Sequence, residues 1–511
     1  MFAQFYSSDW LTPERLDTDF YDPDAIVALN KIYNFDEYES FGSSGEVWGF
    51  GAYELCNSIV ESNCVSDPGF IKIKDISAPF IDESSVLKVT SKTHTLLNTA
   101  HVKAGDIVVS IAGTIGSSAI IPESKVKYSA NQALVKYRTN EEVFDNYYVL
   151  AFTLSEHFKV IARKEAGGAV QKNLYLFNFE RMPIPKPCCT AQTYIGDKVR
   201  QAERLRALAK QLVADVDRRL NSLQLPINKM PEKSTFSSPS LLSDRLDPRP
   251  YRSNVVELVE KIKSIDHERL SSIVNATSGC PVKSSDFIEG EFEVPLVRIR
   301  NIGTKDFIGL DTGVNRGVYA DSANYQAKEG MIVIGMDGYF RAQYFLPEEL
   351  PMLINQRVAM LSPTAIRSEL LVHWLNRPEG QLQLNQWAVK TTVEHTSLSD
   401  ISKVLIPRLD ENTEEHFADN LSYARYAERL SKRCTSLAKL LVESLIEGHI
   451  SEQELIDAQQ ALESGNKDLD RALLARFSAK GIDVDGASPL FDDLDQLYSL
   501  LEQAELALQE A

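Results

Sequence analysis

"GDIVVSIAGTIGSSAIIPESKVKYSANQALV", residues 105–135, sets short Val- and Ile-rich runs between Gly, Pro, Ser and Asn, the pattern of brief strands separated by tight turns. "GMIVIGMDGYFRAQYFLPEELPMLINQRVAM", residues 330–360, repeats that pattern. Gly105 and Gly330 are 225 positions apart, and the pairs Asn131-Gln132 and Asn355-Gln356 are 224 apart. Working outward, "RLDTDFYDP" (15–23) is echoed by "RLDPRPYRS" (245–253), "IKIKDI" (71–76) by "VRIRNI" (297–302), and "MPIPKP" (182–187) by "VLIPRL" (404–409). Slowly drifting offsets in an unchanged order are what an internal duplication leaves after small insertions and deletions. One module, used twice, decides the fold.

Each copy has the same internal order. A short helix opens it, "PDAIVALNKI" in the first and "SNVVELVEKIKS" in the second. In "IKIKDI" and "VRIRNI" strict alternation predicts strands with Ile71, Ile73, Val297 and Ile299 inward and Lys72, Lys74, Arg298 and Arg300 outward. "DIVVSI" is more continuously apolar and predicts a buried strand. Gly113, Gly116, Gly335 and Gly338 fit turns or close backbone approaches. No helix follows "AGTIGSSAI", so these glycines are not a nucleotide-binding loop.

After each module the period changes. Residues 194–222 place Leu205, Leu208, Leu212, Val216 and Leu220 on one face, and residues 416–447 do the same with Tyr426, Leu430, Cys434, Leu437, Leu441 and Leu445. Neither helix keeps such a stripe in water alone, so the two pack on each other as an antiparallel pair, on a partner's helices, or on both. A Pro- and Ser-rich linker follows the first helix. Past residue 450, "SEQELIDAQQAL", "NKDLDRALLARFSAK" and "PLFDDLDQLYSLLEQAELALQE" predict a small helical appendage, with Ser451 and Glu454 spaced as a capping box.

The chain of 511 residues is too long for one core and carries a net charge of −18. Residues 411–511 hold 21 acidic against 9 basic residues, so most of the acidity belongs to the last fifth and a basic face on the earlier modules stays open. The six cysteines and eight histidines show no metal-ligand spacing. No run of 18 apolar residues and no basic-apolar leader is present, which suits a reduced, soluble, cytoplasmic protein without a membrane partner. A Gly-rich loop ending in Lys-Ser/Thr, a base-methylating signature and a nuclease-like Asp with Glu-x-Lys are all absent, and Asp492, Asp493 and Asp495 fit a solvated helix face. No catalytic residues and no metal ligands are assigned.

The order of elements resembles the specificity subunit of type I restriction-modification systems. The matching residues are "GDIVVSIAGTIGSSAII", "ANQALV", "EAGGAVQKNLYLFNFERMPIPKP" and the helix with "QAERLRALAKQLV", then "GMIVIGMDGYFRAQYFL", "NQRVAM", "TTVEHTSLSDISKVLIPRL" and the helix around "YAERLSKRCTSLAKLLVESLIEG". The resemblance spans roughly residues 15–450. It implies an α+β fold of two duplicated β-rich target-recognition domains joined by two long antiparallel helices, plus the small acidic helical C-terminal appendage. The boundaries are 1–193 for the first domain, 194–222 for the first long helix and 223–244 for the linker. The second domain follows at 245–410, the second helix at 411–448, and the appendage, a region for partner docking, at 449–511. It also implies a non-catalytic reader of a bipartite, asymmetric DNA target, whose helices act as a ruler. Double-stranded DNA, DNA adenine methyltransferase subunits and a restriction/translocase subunit are the partners. The chain itself takes no cofactor, because S-adenosylmethionine belongs to the methyltransferase. Two departures stand out: Met331 replaces Asp106, and "TTVEHTSLSD" replaces "GGAVQKNLYLFN".

Groove reading needs fixed donors and cations near phosphate. In the first copy the candidates are Lys72, Lys74, Lys125, Lys127, Arg163, Lys164, Gln171 and Lys172, with Gly167 and Gly168 allowing close backbone approach. In the second they are Arg298, Arg300, Lys305, Arg316, Arg341 and Lys390. The stripe residues Leu205, Leu208, Leu212, Val216, Leu220, Tyr426, Leu430, Leu437, Leu441 and Leu445 are the candidate partner-binding set. Asn131-Gln132 and Asn355-Gln356 occur in both copies, so their amides serve the scaffold rather than two different half-sites. A protein-binding scaffold of duplicated β-rich modules stays open as the alternative, as does a reader whose partners supply most phosphate contacts.

Overall fold

The computed structural model describes residues 15, 18, 20–51, 58–168, 171–227, 245, 247–390 and 392–509. Close contacts divide the chain into two units, Met1–Ala207 with Glu428–Ala511, and Leu208–Ala427. The expected domain edges fell at helix ends, whereas this division falls inside both long helices.

Unit 1 opens with α1 (Pro23–Tyr33), started by Pro23 at the first position and by Asp22, whose carboxylate accepts the Asp24 amide. Its strands include β1 (Gly45–Trp48), β2 (Gly69–Ile71), β3 (Ile107–Ser110), β4 (Ser118–Ile120), β5 (Tyr128–Ala130) and β6 (Leu134–Thr139). The larger sheet begins β1-β6-β3-β4, and in the smaller one β2 pairs in parallel with β5. Next come α2 (Asn146–Leu154), α3 (Glu156–Glu165) and the long α4 (Cys189–Asn221).

Unit 2 repeats this order. α5 (Ser253–Lys263) precedes β7 (Val274–Ser278), β8 (Val294–Val297), β9 (Ile332–Gly335), β10 (Ala342–Tyr344), β11 (Leu353–Ile354) and β12 (Val358–Pro363). The main sheet is β7-β12-β9-β10, the order of its counterpart in unit 1, and β8 pairs in parallel with β11. α6 (Ser368–Asn376), α7 (Pro378–Gln386), the paired strands β13 (Val389–Lys390) and β14 (Glu394–His395), and the long α8 (Glu411–Glu447) follow. Of the Lys390 side chain nothing is described, so that DNA-contact candidate lies outside the described residues.

The duplication extends to single hydrogen bonds. Gly105 and Gly330 both take φ near +80° (85° and 70°) in the turn before the buried strand, with their amides donating to Ile121 and Phe345. Asn131 and Asn355 donate backbone N–H to Ile71 and Val297, and their side-chain oxygens accept the amides of Ala133 and Arg357. This is the scaffold role expected of them. His101 and Gln326 bond the carbonyls of His94 and Tyr319 from matching positions.

Three expectations need correction. "IKIKDI" and "VRIRNI" do not stay extended, because the strands stop at Ile71 and Val297 and 3-10 turns follow at Ile73–Asp75 and Ile299–Asn301. The cause is one buried polar side chain per copy: Asp75 accepts the Lys72 amide at 2.8 Å and Asn301 the Arg298 amide at 2.9 Å. The first long helix starts at Cys189, five residues before the expected 194, and the second starts at Glu411, capped by Asp410. The apolar stripe is also not a free partner surface. Leu205, Leu208, Val216, Leu220, Leu430, Leu437, Leu441 and Leu445 are buried within this chain, and Leu212 and Tyr426 are half-buried. The chain's own core consumes that face.

Inside unit 1 the helices run antiparallel. As α4 passes from Cys188 to Ala202, its partners run back from Glu452 to Ser431, whose hydroxyl donates to the Ala202 carbonyl at 2.7 Å. The appendage, α9 (Glu452–Glu463), α10 (Asp468–Ala475) and α11 (Leu494–Gln509), packs here too. Ser451 and Glu454 form the expected capping box. Arg433 pairs with Asp492 and Arg471 with Asp495, each at 2.6 Å, so part of the acidic face is neutralised internally.

Candidate nucleic-acid interface

Unit 1 carries a cleft of about 1090 Å³ whose lining includes Trp48, Phe50, His101, Lys103, Arg138 and Gln171. β1 and β6 supply Trp48 and Arg138, and the guanidinium lies 5.1 Å from the indole. Arg138 grips Asp106 through Nε at 2.8 Å and Nη2 at 2.9 Å, and reaches Glu46 through Nη1 at 3.2 Å. Asp106 also accepts the Lys103 amide. This explains the first departure between the copies: unit 2 has Ser362 in place of Arg138, so Met331 stands where Asp106 would lose its partner. His101 stacks on His94 at 3.9 Å. Burial first, then the nearby charges of His101 and Lys127, lowers the His94 pKa to about 4, so that ring is neutral at physiological pH.

Beside the cleft, a hairpin meets the glycine loop that follows the buried strand. Gly167 and Asn173 pair, Asn173 bridges to Ala112, and the Leu174 amide donates to the Ile111 carbonyl at 2.9 Å. Gly168 takes φ +123°, and a Cβ there would sit 2.3 Å from the Gln171 carbonyl oxygen. Unit 2 builds the same junction with different chemistry. His395 of β14 bridges to Asp337, Nδ1 to Oδ1 2.6 Å apart, and the Thr396 amide donates to the Met336 carbonyl. The second departure thus keeps the junction and changes what it displays. Unit 1 exposes the stacked rings of Tyr175 and Phe177, whereas unit 2 exposes Tyr339, 80% accessible, with Arg341 at 5.4 Å from its ring.

Residues 53–218 match the family model described as the type I restriction modification DNA specificity domain. This segment belongs to that family. The family is non-catalytic, and DNA sequence specificity is its general role. The type I restriction enzyme EcoBI specificity subunit of Escherichia coli is 27% identical over 141 residues, 27% of this chain and 27% of that protein. The match therefore spans little more than a quarter of the relative's length. The S subunit of a type I system from M. genitalium is 14% identical with a TM-score of 0.40, over 83% of this chain and 96% of that one. The HsdS subunit from Thermoanaerobacter tengcongensis is 13% identical with a TM-score of 0.27, over 81% and 97%.

Within the specificity domain the residues chosen from sequence are scattered. Gln171 lines the cleft, and Gly167, Gly168 and Lys172 share its hairpin. Lys74, Lys125, Lys127 and Arg163 are exposed and Lys72 is half-buried, none of them lining the cleft. Lys164 is a correction: it is buried on the inner face of α3, 2.9 Å from Glu165 and 3.5 Å from the Phe20 ring, so it is no surface cation. In unit 2, Arg341 stands at the junction, Lys305 is exposed, and Arg298 lies 5.5 Å from the Phe287 ring. Arg300 and Arg316 are exposed but pair with Asp311 and Glu293. Sequence reasoning missed Trp48, His101, Lys103, Arg138 and Tyr339. The available signal was "EVWGFGA", where large aromatics stand between glycines that need no side chain beside them. Among the described residues, no group of three or more His, Cys, Asp or Glu is placed to hold a metal ion, and no helix is long and apolar enough to cross a membrane.

Proposed function

We propose that the chain reads a bipartite, asymmetric DNA target, one part with each unit, and directs methyltransferase and restriction subunits to it. One observation carries the reading: the same hairpin-to-loop junction occurs twice, once as Ala112 with Asn173 and once as Asp337 with His395, displaying different side chains. A common frame with different donors is what two unlike half-sites require, since base edges are distinguished by donor and acceptor pattern. The family match of unit 1 supports DNA as the ligand.

The acidity of the chain and the ion-paired state of Arg138, Arg300 and Arg316 favour reading as part of an assembly. Partners then supply most of the contacts to phosphate, which dominate affinity. The methyl donor, S-adenosylmethionine, is bound by the partner methyltransferase and not by this chain.

The test is co-expression with a partner methyltransferase, followed by sequencing of the methylated positions in genomic DNA. Adenine methylation in a split, asymmetric motif is expected. Exchange of residues 15–190 for another module is expected to change one half of the motif only. A stable complex that neither methylates nor binds DNA at low salt overturns the reading in favour of a protein scaffold.

A further inference from the structure

Lys136 lies in the middle of β6, opposite Trp48 on one side and Val108 on the other. It is fully buried, and its amine has no hydrogen-bond or ion-pair partner among the described residues. The amine lies over the Phe50 ring, 5.8 Å from its centroid. An unpaired buried ammonium is costly and is normally paired or replaced.

The second copy shows what replacement looks like. Matching strand registers put Met360 of β12 where unit 1 has Lys136 and Thr277 where it has Trp48. Met360 is an ordinary core residue packed with Val297, Ile354 and Val358. The scaffold therefore has no need of a cation at this position. The lysine occurs in the copy that has the cleft, with its amine 5.8 Å from the ring of Phe50, one of the lining residues.

Phe50 lines the cleft and lies 5.8 Å from the Lys136 amine, which does not line it. Phe50 stands between two glycines, Gly51 at φ +64° and Gly49, where an added Cβ would meet nothing within 4 Å. The ring itself is buried with Phe70, Val89, Leu97 and Ala100, so uncovering Lys136 requires it to leave that cluster. Lys103 lines the same cleft and is exposed, whereas Arg138 is already neutralised by Asp106 and Glu46.

We propose that the unit 1 cleft is a phosphate-binding site in which Lys136 is the inner cation, reached when the Phe50 ring moves aside, and Lys103 the outer one. The phosphate belongs either to the DNA backbone or to a free phosphate compound. The site does not depend on the DNA reading, which the test separates from it.

The experiment uses the full chain, its K136M variant, which installs the residue of the second copy, and F50A. Thermal unfolding is compared in inorganic phosphate and in chloride at equal ionic strength. Phosphate is expected to raise the wild-type midpoint by about 2–4 °C more than that of K136M, and the F50A midpoint by at least as much as the wild type's. Equal responses of wild type and K136M overturn the proposal, as does an F50A response no greater than that of K136M. The salt dependence of binding to a duplex then identifies the source. Loss of about one phosphate contact from the slope in K136M assigns the DNA backbone. An unchanged slope with a lost phosphate response assigns a free phosphate compound. A wild type that binds no duplex defeats the DNA reading and leaves the unfolding comparison to decide the site.

Discussion

Lys198 donates to Asp470 at 2.6 Å, and both side chains are only 1% exposed. The same carboxylate accepts the hydroxyls of Tyr194 and Tyr498, so α4, α10 and α11 are tied to one buried anion in unit 1. Burial alone would raise the Asp470 pKa, but Lys198 and the two hydroxyls outweigh it and hold the carboxyl below its free value of 3.8. Its contribution to stability is therefore complete above that value and is lost as the pH falls through the lower folded pKa. Asp470→Ala leaves Lys198 buried and unpaired, which is expected to cost about 3–5 kcal/mol in urea unfolding near neutral pH. The gap between wild type and variant should close below about pH 3.8. A gap under 1 kcal/mol would mean that this buried anion does not tie α4, α10 and α11 together.

Lys136 gives the opposite pH signature. Burial lowers its pKa from 10.5 to about 8. Below about pH 8 both folded and unfolded chains carry the charge, and the folded chain bears the whole penalty, on the order of 3 kcal/mol. Between about pH 8 and 10.5 the unfolded chain holds more protons, so stability rises with pH and the penalty fades. K136M should thus be more stable than the wild type at pH 7, with the difference shrinking by pH 10. Urea unfolding at the two pH values checks both signs.

How far these features were legible in sequence follows from their physics. The duplication, the opening helices, the buried strand at 107–110 and the capping box at Ser451 rest on local period and turn chemistry, which a sequence displays directly. The strand ends at Ile71 and Val297 are set by Asp75 and Asn301, whose side chains fold back on the chain three residues earlier, which alternation does not register. The cleft is not legible in surface runs of cations such as "ARKEAGG". Arg138 and Lys136 instead lie on a strand that reads as ordinary β-structure, and only cross-strand register brings them to Trp48. Leucine periodicity gave the long helices but not their partners, because a stripe buried within the chain and one offered to another protein look alike in sequence.

Asp106 and Arg138 vary together between the copies, becoming Met331 and Ser362, which makes a double-mutant cycle informative. Asp106→Met should destabilise unit 1, since Arg138 and the Lys103 amide lose their acceptor. Arg138→Ser should strand Asp106, which is 1% exposed. The double variant restores the solution used in unit 2 and should recover part of the loss. Arg138 is partly exposed and so screened, which limits the expected coupling to about 1–2 kcal/mol. Additive losses in urea unfolding would show that the pairing is incidental.

Arg341 and Tyr339 stand at the unit 2 junction, while Gln171 stands at that of unit 1. If each junction reads its own half-site, Arg341→Ala and Gln171→Ala should relax different halves of the methylated motif. Each is expected to cost about 1–3 kcal/mol against the cognate sequence, with the other half still read. Lys103→Ala, a change at a cation rather than a reader, should weaken binding to all sequences alike and reduce the salt slope by about one. Motif sequencing of methylated DNA, with binding titrations between 50 and 200 mM salt, separates the two behaviours. A uniform loss from Arg341→Ala would move that residue from base reading to backbone contact. A relaxed half-site from Lys103→Ala would place base recognition inside the unit 1 cleft.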